Sequence, residues 1–264
     1  MQKLLDVGEQ NPFALYNRDG TSAFLFTGDH AGNKVPRSLD MLGLGPEELD
    51  RHIGIDIGVE PLGRMLADRL DAAFLYQPYS RLVIDCNRPP HQADAIPEVS
   101  DGTTIPGNVN LTPQARQARV AQIFDVYHLE FAAELQRRAE EGRRTVIIAL
   151  HSFTPHHSEF PEPRPWHIGV LWNRDNRLAR PLVKHLRVRN DRVVGENQPY
   201  RVSDELDYAI PVYGEAAGVL SVELEVRQDL VSDQTGCEHW AGVIAAILPA
   251  ALDDFDAENT HEVV

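Results

Sequence analysis

Two histidines stand at the ends of apolar runs and set the chemistry open to this chain. His151 closes the run Val146-Ile147-Ile148-Ala149-Leu150, and His30 follows Phe24-Leu25-Phe26-Thr27-Gly28-Asp29. Open α/β sheets put their working sites just beyond the carboxyl ends of the strands, so either imidazole could meet a metal ion or a substrate there. Catalytic zinc takes three His or carboxylate ligands and keeps one position for water. Asp56, an acid set among Gly54, Ile55, Ile57 and Gly58, is the preferred third ligand. Asn33, a weak neutral ligand, and His52, a more exposed one, compete with it. The structural alternative for Asp56 is a helix N-cap.

Two further stretches carry charge where a core is expected. Leu82-Val83-Ile84-Asp85 reads as a short strand bracketed by Arg81 and Arg88. At its carboxyl end the planar guanidinium of Arg88 can grip a carboxylate through two parallel hydrogen bonds. Asn87 adds a neutral donor, and Arg81 is a further cation. A surface pair of Arg88 with Asp85 would stabilise little. Glu223 and Glu225, two apart in an apolar run, point to the same face of a strand. Like charges side by side in a sheet interior are unfavourable unless they serve a site. One of them beside a metal-bound water would make an apt general base. A solvated acidic edge strand is the structural alternative.

The elements that must hold these residues alternate between strand and helix. Short strands are expected at 24–27, 73–76, 82–85, 145–153, 167–172 and 219–226. Helices are expected from Pro46, over 58–70, from Thr112 to about Glu141, over 178–187 and over 238–252. Thr112 is the N-cap and Gly142 the stop signal of the longest of these. The alternation implies one α/β domain over 1–264, with a mixed, mainly parallel sheet covered by helices on both faces. Residues 1–20 read as a surface arm and the acidic stretch from Asp253 as a frayed tail. The segments 89–110 and 154–166 are long polar loops, of the kind that shape a pocket.

Composition narrows the partners. At 264 residues with 42% hydrophobic and 25% charged residues, the chain can bury a full core. A formal net charge of −15 argues against nucleic acid, while a local basic spot for a small anion remains open. Cys86 and Cys237 are too few for a disulfide framework or a Cys-rich zinc site, which points to a reducing compartment. The first residues do not read as a signal peptide, and no run reads as a membrane span. The expectation is a cytoplasmic protein, with homo-oligomerisation left open.

These residues resemble, in order, the N-formylglutamate amidohydrolase family: His30-Ala31-Gly32-Asn33, Asp56 before Gly58, Asp85-Cys86-Asn87-Arg88, His151-Ser152 and Glu225-Val226-Arg227-Gln228-Asp229. The resemblance runs from about Phe24 to Leu248. The family is related to zinc carboxypeptidases and aspartoacylases, which implies a zinc-exopeptidase-like (phosphorylase/hydrolase-like) fold and a divalent metal, Zn2+ by preference. It further implies His30 and His151 as ligands, Asn87 and Arg88 as the carboxylate clamp, and Glu225 as general base. The implied reaction converts N-formyl-L-glutamate to glutamate and formate, within histidine degradation. In those relatives the early motif is His-x-x-Glu. Here it is His30-x-x-Asn33, so the acidic ligand is absent from its usual place and the third ligand stays open between Asp56, Asn33 and His52. A deacylase for another N-acyl amino acid and a metal-free binding protein on the same fold are the rival readings.

Overall fold

The computed structural model describes residues 3–158 and 162–260. Its strands are β1 (Ala14–Tyr16), β2 (Phe24–Gly28), β3 (Ala73–Tyr76), β4 (Val99–Ser100), β5 (Thr103–Thr104), β6 (Val146–Phe153), β7 (Ile168–Leu171), β8 (Val194–Glu196) and β9 (Leu220–Arg227). Seven of them form one sheet in the order β1-β3-β2-β6-β9-β7-β8, and β4 and β5 form a separate hairpin. The four central strands β3, β2, β6 and β9 are parallel. Strand β7 runs antiparallel to β9 and parallel to β8, while β1 pairs antiparallel with β3 at the opposite edge. The central strands are buried on both faces, which is why their sequences read as continuous β-branched and aromatic runs.

The helices are α1 (Pro46–Leu49), α2 (Val59–Leu70), α3 (Pro113–Arg119), α4 (Asp125–Glu140), α5 (Ala179–Arg187) and α6 (Gln234–Thr260). On one face of the sheet α2, α5 and α6 bury Leu62, Leu66, Leu182, Trp240, Ile244 and Leu248 against Phe26, Ile148, Val222 and Leu224. On the other face Tyr127 and Phe131 of α4 pack with Leu25, Leu75 and Ile147. Alternate residues of each strand therefore feed two cores, and the helices lie on both faces as expected. Thr112 caps α3 by accepting a hydrogen bond from the Ala115 amide at 3.2 Å. A wide π-type turn at Val120–Phe124 joins α3 to α4, and Gly142 ends the run at φ +66°.

Four expectations are corrected. Leu82–Asp85 is a buried turn rather than a strand, fixed by the Ser80 hydroxyl, which accepts from the Leu82 amide and donates to Gly54 O. A short apolar run between turn formers buries its side chains equally well in a loop. Residues 3–20 are not a loose arm, because Leu4 is buried and Ala14–Tyr16 closes the sheet edge, while residues 1–2 lie outside the described residues. The acidic stretch from Asp253 continues α6 to Thr260, held in part by Arg144, whose guanidinium pairs with Asp256 at 2.6 and 2.7 Å. Residues 261–264 of that stretch lie outside the described residues. Finally, α6 is long and apolar enough by composition to cross a membrane, although its apolar face is spent against α2 and α5.

Candidate active site

Adjacent parallel strands bring their carboxyl ends together, and the register determines which side chains meet. His151 lies opposite Glu225, and Ala149 opposite Glu223, in the β6–β9 pairing. These residues share the sheet face away from α2 and α6. Next to β6, strand β2 runs out at Gly28, and the chain turns so that His30 faces His151 with ring centroids 5.0 Å apart. The loop carrying Asp56 is tied to the same place by its amide, which donates to His30 O at 2.9 Å. Gly32 is required here, since a Cβ at that position would lie 2.0 Å from Pro78 O.

Asp56 is the hub. Its Oδ2 lies 2.9 Å from His151 Nδ1 and 3.4 Å from His30 Nδ1, while Arg81 Nη1 donates to Oδ1 at 3.2 Å. The N-cap alternative fails, because Gly58 occupies the N-cap position of α2 and Asp56 points into the site. His30 is clamped from its other side by Asp85, whose Oδ1 is 2.7 Å from Nε2. Asp85 also accepts from Arg81 Nη2 at 2.8 Å and from the Asn87 amide at 2.8 Å. Arg81 thus bridges the two carboxylates that position the histidines.

The electrostatics follow from this packing. Burial works against the charged form of Asp56, but the two imidazoles and Arg81 hold its carboxyl far below the usual range. Burial likewise opposes ionisation of Asp85, and His30 with Arg81 overrides it downward. For Glu223 burial wins, and its carboxyl is pushed up to about 7. Burial also raises Glu225 well above the carboxylate range, with Asp56 and Glu223 adding to the effect against His151 and Arg81. Asp29, behind the site and hydrogen-bonded by the Tyr127 hydroxyl, is raised by burial too.

A cavity of about 300 Å³ opens over these groups. Its floor carries His30, Asp56, His151, Glu223 and Glu225, and its walls include Asn87, Arg88, Tyr200 and Asp207. Arg88 Nη1 pairs with Asp207 Oδ1 at 2.9 Å, and Nε lies 3.4 Å from Asp94. None of the hydrogen bonds among the described residues uses its Nη2. Asn87 is held in the wall by its side-chain oxygen, which accepts from the Tyr208 and Ala209 amides at 3.0 Å each, while its Nδ2 donates to Asp207 Oδ1 at 3.4 Å. Pro97, Val99 and Asp101 from the first long loop, and Thr154 and His157 from the second, complete the wall.

His30, Asp56 and His151 fit a divalent cation on three counts. Their candidate donor atoms lie within 4.8 Å of one another. Among the described residues, His30 Nδ1 and His151 Nε2 are buried without a hydrogen-bond partner, as are single oxygens of Glu223 and Glu225. The Asp85–His30 contact is the carboxylate–histidine arrangement that orients a ligand ring. The other two candidates lie elsewhere: the Asn33 side chain donates to Asp50 at 2.6 Å, and His52 stands with Asp101 and His157. Sequence reasoning did not assign roles to Asp29 and Asp207 or see the part Asp85 plays. Asp85 was visible beside Asn87-Arg88, but only the fold shows that it belongs to His30.

The profile of one protein family, N-formylglutamate amidohydrolase, matches residues 22–232. Among solved structures, the gene product Atu2144 from Agrobacterium tumefaciens is similar at 29% identity and TM-score 0.91, covering 96% of this chain and 100% of that one. The N-formylglutamate amidohydrolase from Ralstonia eutropha JMP134 shares the fold at 20% identity and TM-score 0.69, covering 92% and 97%. No curated protein shows significant sequence similarity to the chain. With four-fifths of its length matched by the profile and its clustered polar residues inside that span, the chain belongs to the N-formylglutamate amidohydrolase family.

Proposed function

We propose that the chain hydrolyses the amide of an N-acyl amino acid, with N-formyl-L-glutamate as substrate. The observation that carries this reading is the convergence of His30, Asp56 and His151 beside Glu225 at the base of one cavity. A divalent cation, zinc by preference, held by those three side chains would polarise the acyl carbonyl and lower the pKa of water there.

The remaining work falls to the protein. Arg88, on the cavity wall, receives a substrate carboxylate through its Nη2, while Asp207 keeps the guanidinium oriented. Arg81 holds Asp56 and Asp85 in place and adds positive field to a site crowded with acids. Glu225 takes a proton from the attacking water as its oxygen bonds to the acyl carbon. Its carboxyl, raised by burial, then returns that proton to the departing amine as the C–N bond breaks, giving formate and glutamate. Burial raises the Glu225 carboxyl well above the usual carboxylate range, which favours the protonated form that the departing amine needs. A role in histidine breakdown in the cytoplasm belongs to the same proposal.

A panel of N-formyl and N-acetyl amino acids, assayed for release of the free amine, tests the substrate. The expected result is highest kcat/KM for N-formylglutamate. Preference for a neutral N-acyl amino acid would remove the dianionic substrate.

A further inference from the structure

A second group of donors lies at the mouth of the same cavity, apart from the residues assigned to hydrolysis. The hairpin β4–β5 turns through Asp101 and Gly102, both at positive φ (43° and 74°), the geometry of a tight two-residue turn. That turn carries Asp101 to His52, after α1, and to His157, in the loop after β6. His52 Nε2 is 3.1 Å from Asp101 Oδ2, and His157 Nδ1 is 3.3 Å from Oδ1. All three side chains line the cavity. Although it stands 3.1 Å from Asp101 Oδ2, His52 Nε2 is buried and makes no hydrogen bond among the described residues.

We propose that His52, Asp101 and His157 form a second divalent-cation site, which joins the β4–β5 hairpin to the loop after β6 across the cavity mouth. Donor atoms of the three lie within 4.8 Å of one another. A tetrahedral centre with ligands at about 2.0–2.1 Å separates them by about 3.3 Å, close to the 3.1 Å between His52 Nε2 and Asp101 Oδ2, while His157 Nδ1 faces the other carboxylate oxygen at 3.3 Å. Two imidazoles and one carboxylate suit zinc among divalent cations. Asp101 is also oriented as a metal-binding carboxylate must be, since the Ser158 amide donates to Oδ1 at 2.8 Å and the Ser158 hydroxyl donates to the same oxygen. Arg51 opposes the cation, with Nη2 3.5 Å from Oδ2, but its side chain is 41% exposed and its Nη1 donates to Thr103 Oγ1 at 2.8 Å rather than to Asp101. The site makes the mouth responsive to metal without drawing on His30, Asp56 or His151.

The test is zinc stoichiometry. Chelator-stripped wild type, His52→Gln/His157→Gln, Asp101→Asn and His30→Gln are titrated with zinc chloride by calorimetry, with circular dichroism to verify folding. The double variant and, independently, Asp101→Asn should each bind about one equivalent fewer than wild type. Equal stoichiometry in wild type and these variants would overturn the proposal. The His30→Gln titration reports separately on the hydrolytic centre, so failure of one site is distinguishable from failure of the other.

Discussion

The Nε2 of His30 sits 2.7 Å from Oδ1 of Asp85, leaving Nδ1 turned toward Asp56 and the cavity. This contact fixes both the tautomer and the direction of the ring, because a hydrogen on Nε2 leaves the Nδ1 lone pair for a ligand. Replacing the carboxylate by an amide of the same shape keeps the space filled but removes the charge. Asp85→Asn is expected to lower zinc affinity and kcat by about 10–100-fold with little change in the far-ultraviolet dichroism. Unchanged zinc affinity would show that the ring needs no such support.

Glu225 and Glu223 share a face but not a task. Loss of a positioned general base costs about 10²–10⁴-fold in rate. Glu225→Gln should therefore lose kcat over that range while KM stays within a few-fold, and Glu223→Gln should lose much less. Steady-state kinetics on both variants checks the assignment, and the reverse order would move the role to Glu223.

The substrate clamp makes a prediction about selectivity. Arg88→Ala should raise KM for a dicarboxylate substrate far more than for a neutral amide. Asp207→Asn should shift KM in the same direction by less, because it loosens the guanidinium without removing it. Equal effects of Arg88→Ala on both substrates would remove the clamp.

Acid should destabilise the fold partly through His128. Burial beneath Phe124 and Tyr208 pushes its pKa down to about 3, against 6.5 for the free side chain, despite a hydrogen bond to Cys86 O at 2.9 Å. With the folded value depressed, the unfolded chain takes the proton first as pH falls. The contribution is complete above pH 6.5 and is lost between 6.5 and about 3. In urea melts at pH 7 and pH 4.5, the stability difference between wild type and His128→Gln should shrink at the lower pH. A difference that does not change with pH would contradict it.

Gly32 has no room for a side chain against Pro78 O. Gly32→Ala should destabilise by about 1–3 kcal/mol and displace the loop that carries His30, lowering zinc affinity as well. Thermal melts with and without zinc separate the two effects.

What could be read from the chain alone depended on the range of the interactions involved. His30 and His151 could be paired because each follows a buried apolar run, and parallel strands bring such ends together. Glu223 and Glu225 could be placed on one face because the period of a strand is two. Leu82–Asp85 could not be identified as a turn, since three consecutive apolar residues bury equally well in either form. The edge strand at Ala14–Tyr16 was hidden because its three half-buried residues show no pattern of their own. The partnership of Asp85 with His30 spans 55 residues, and that of Asp101 with His52 and His157 depends on a hairpin within a Pro- and Gly-rich loop. Neither leaves a local signature.

The most direct measurement is turnover of N-formylglutamate by the purified protein, read as formate release before chelation, after chelation and after zinc is restored. The account predicts turnover that chelation abolishes and zinc recovers in wild type, with no recovery in His30→Gln. Full turnover in the chelated protein, or the same recovery in His30→Gln, would contradict it.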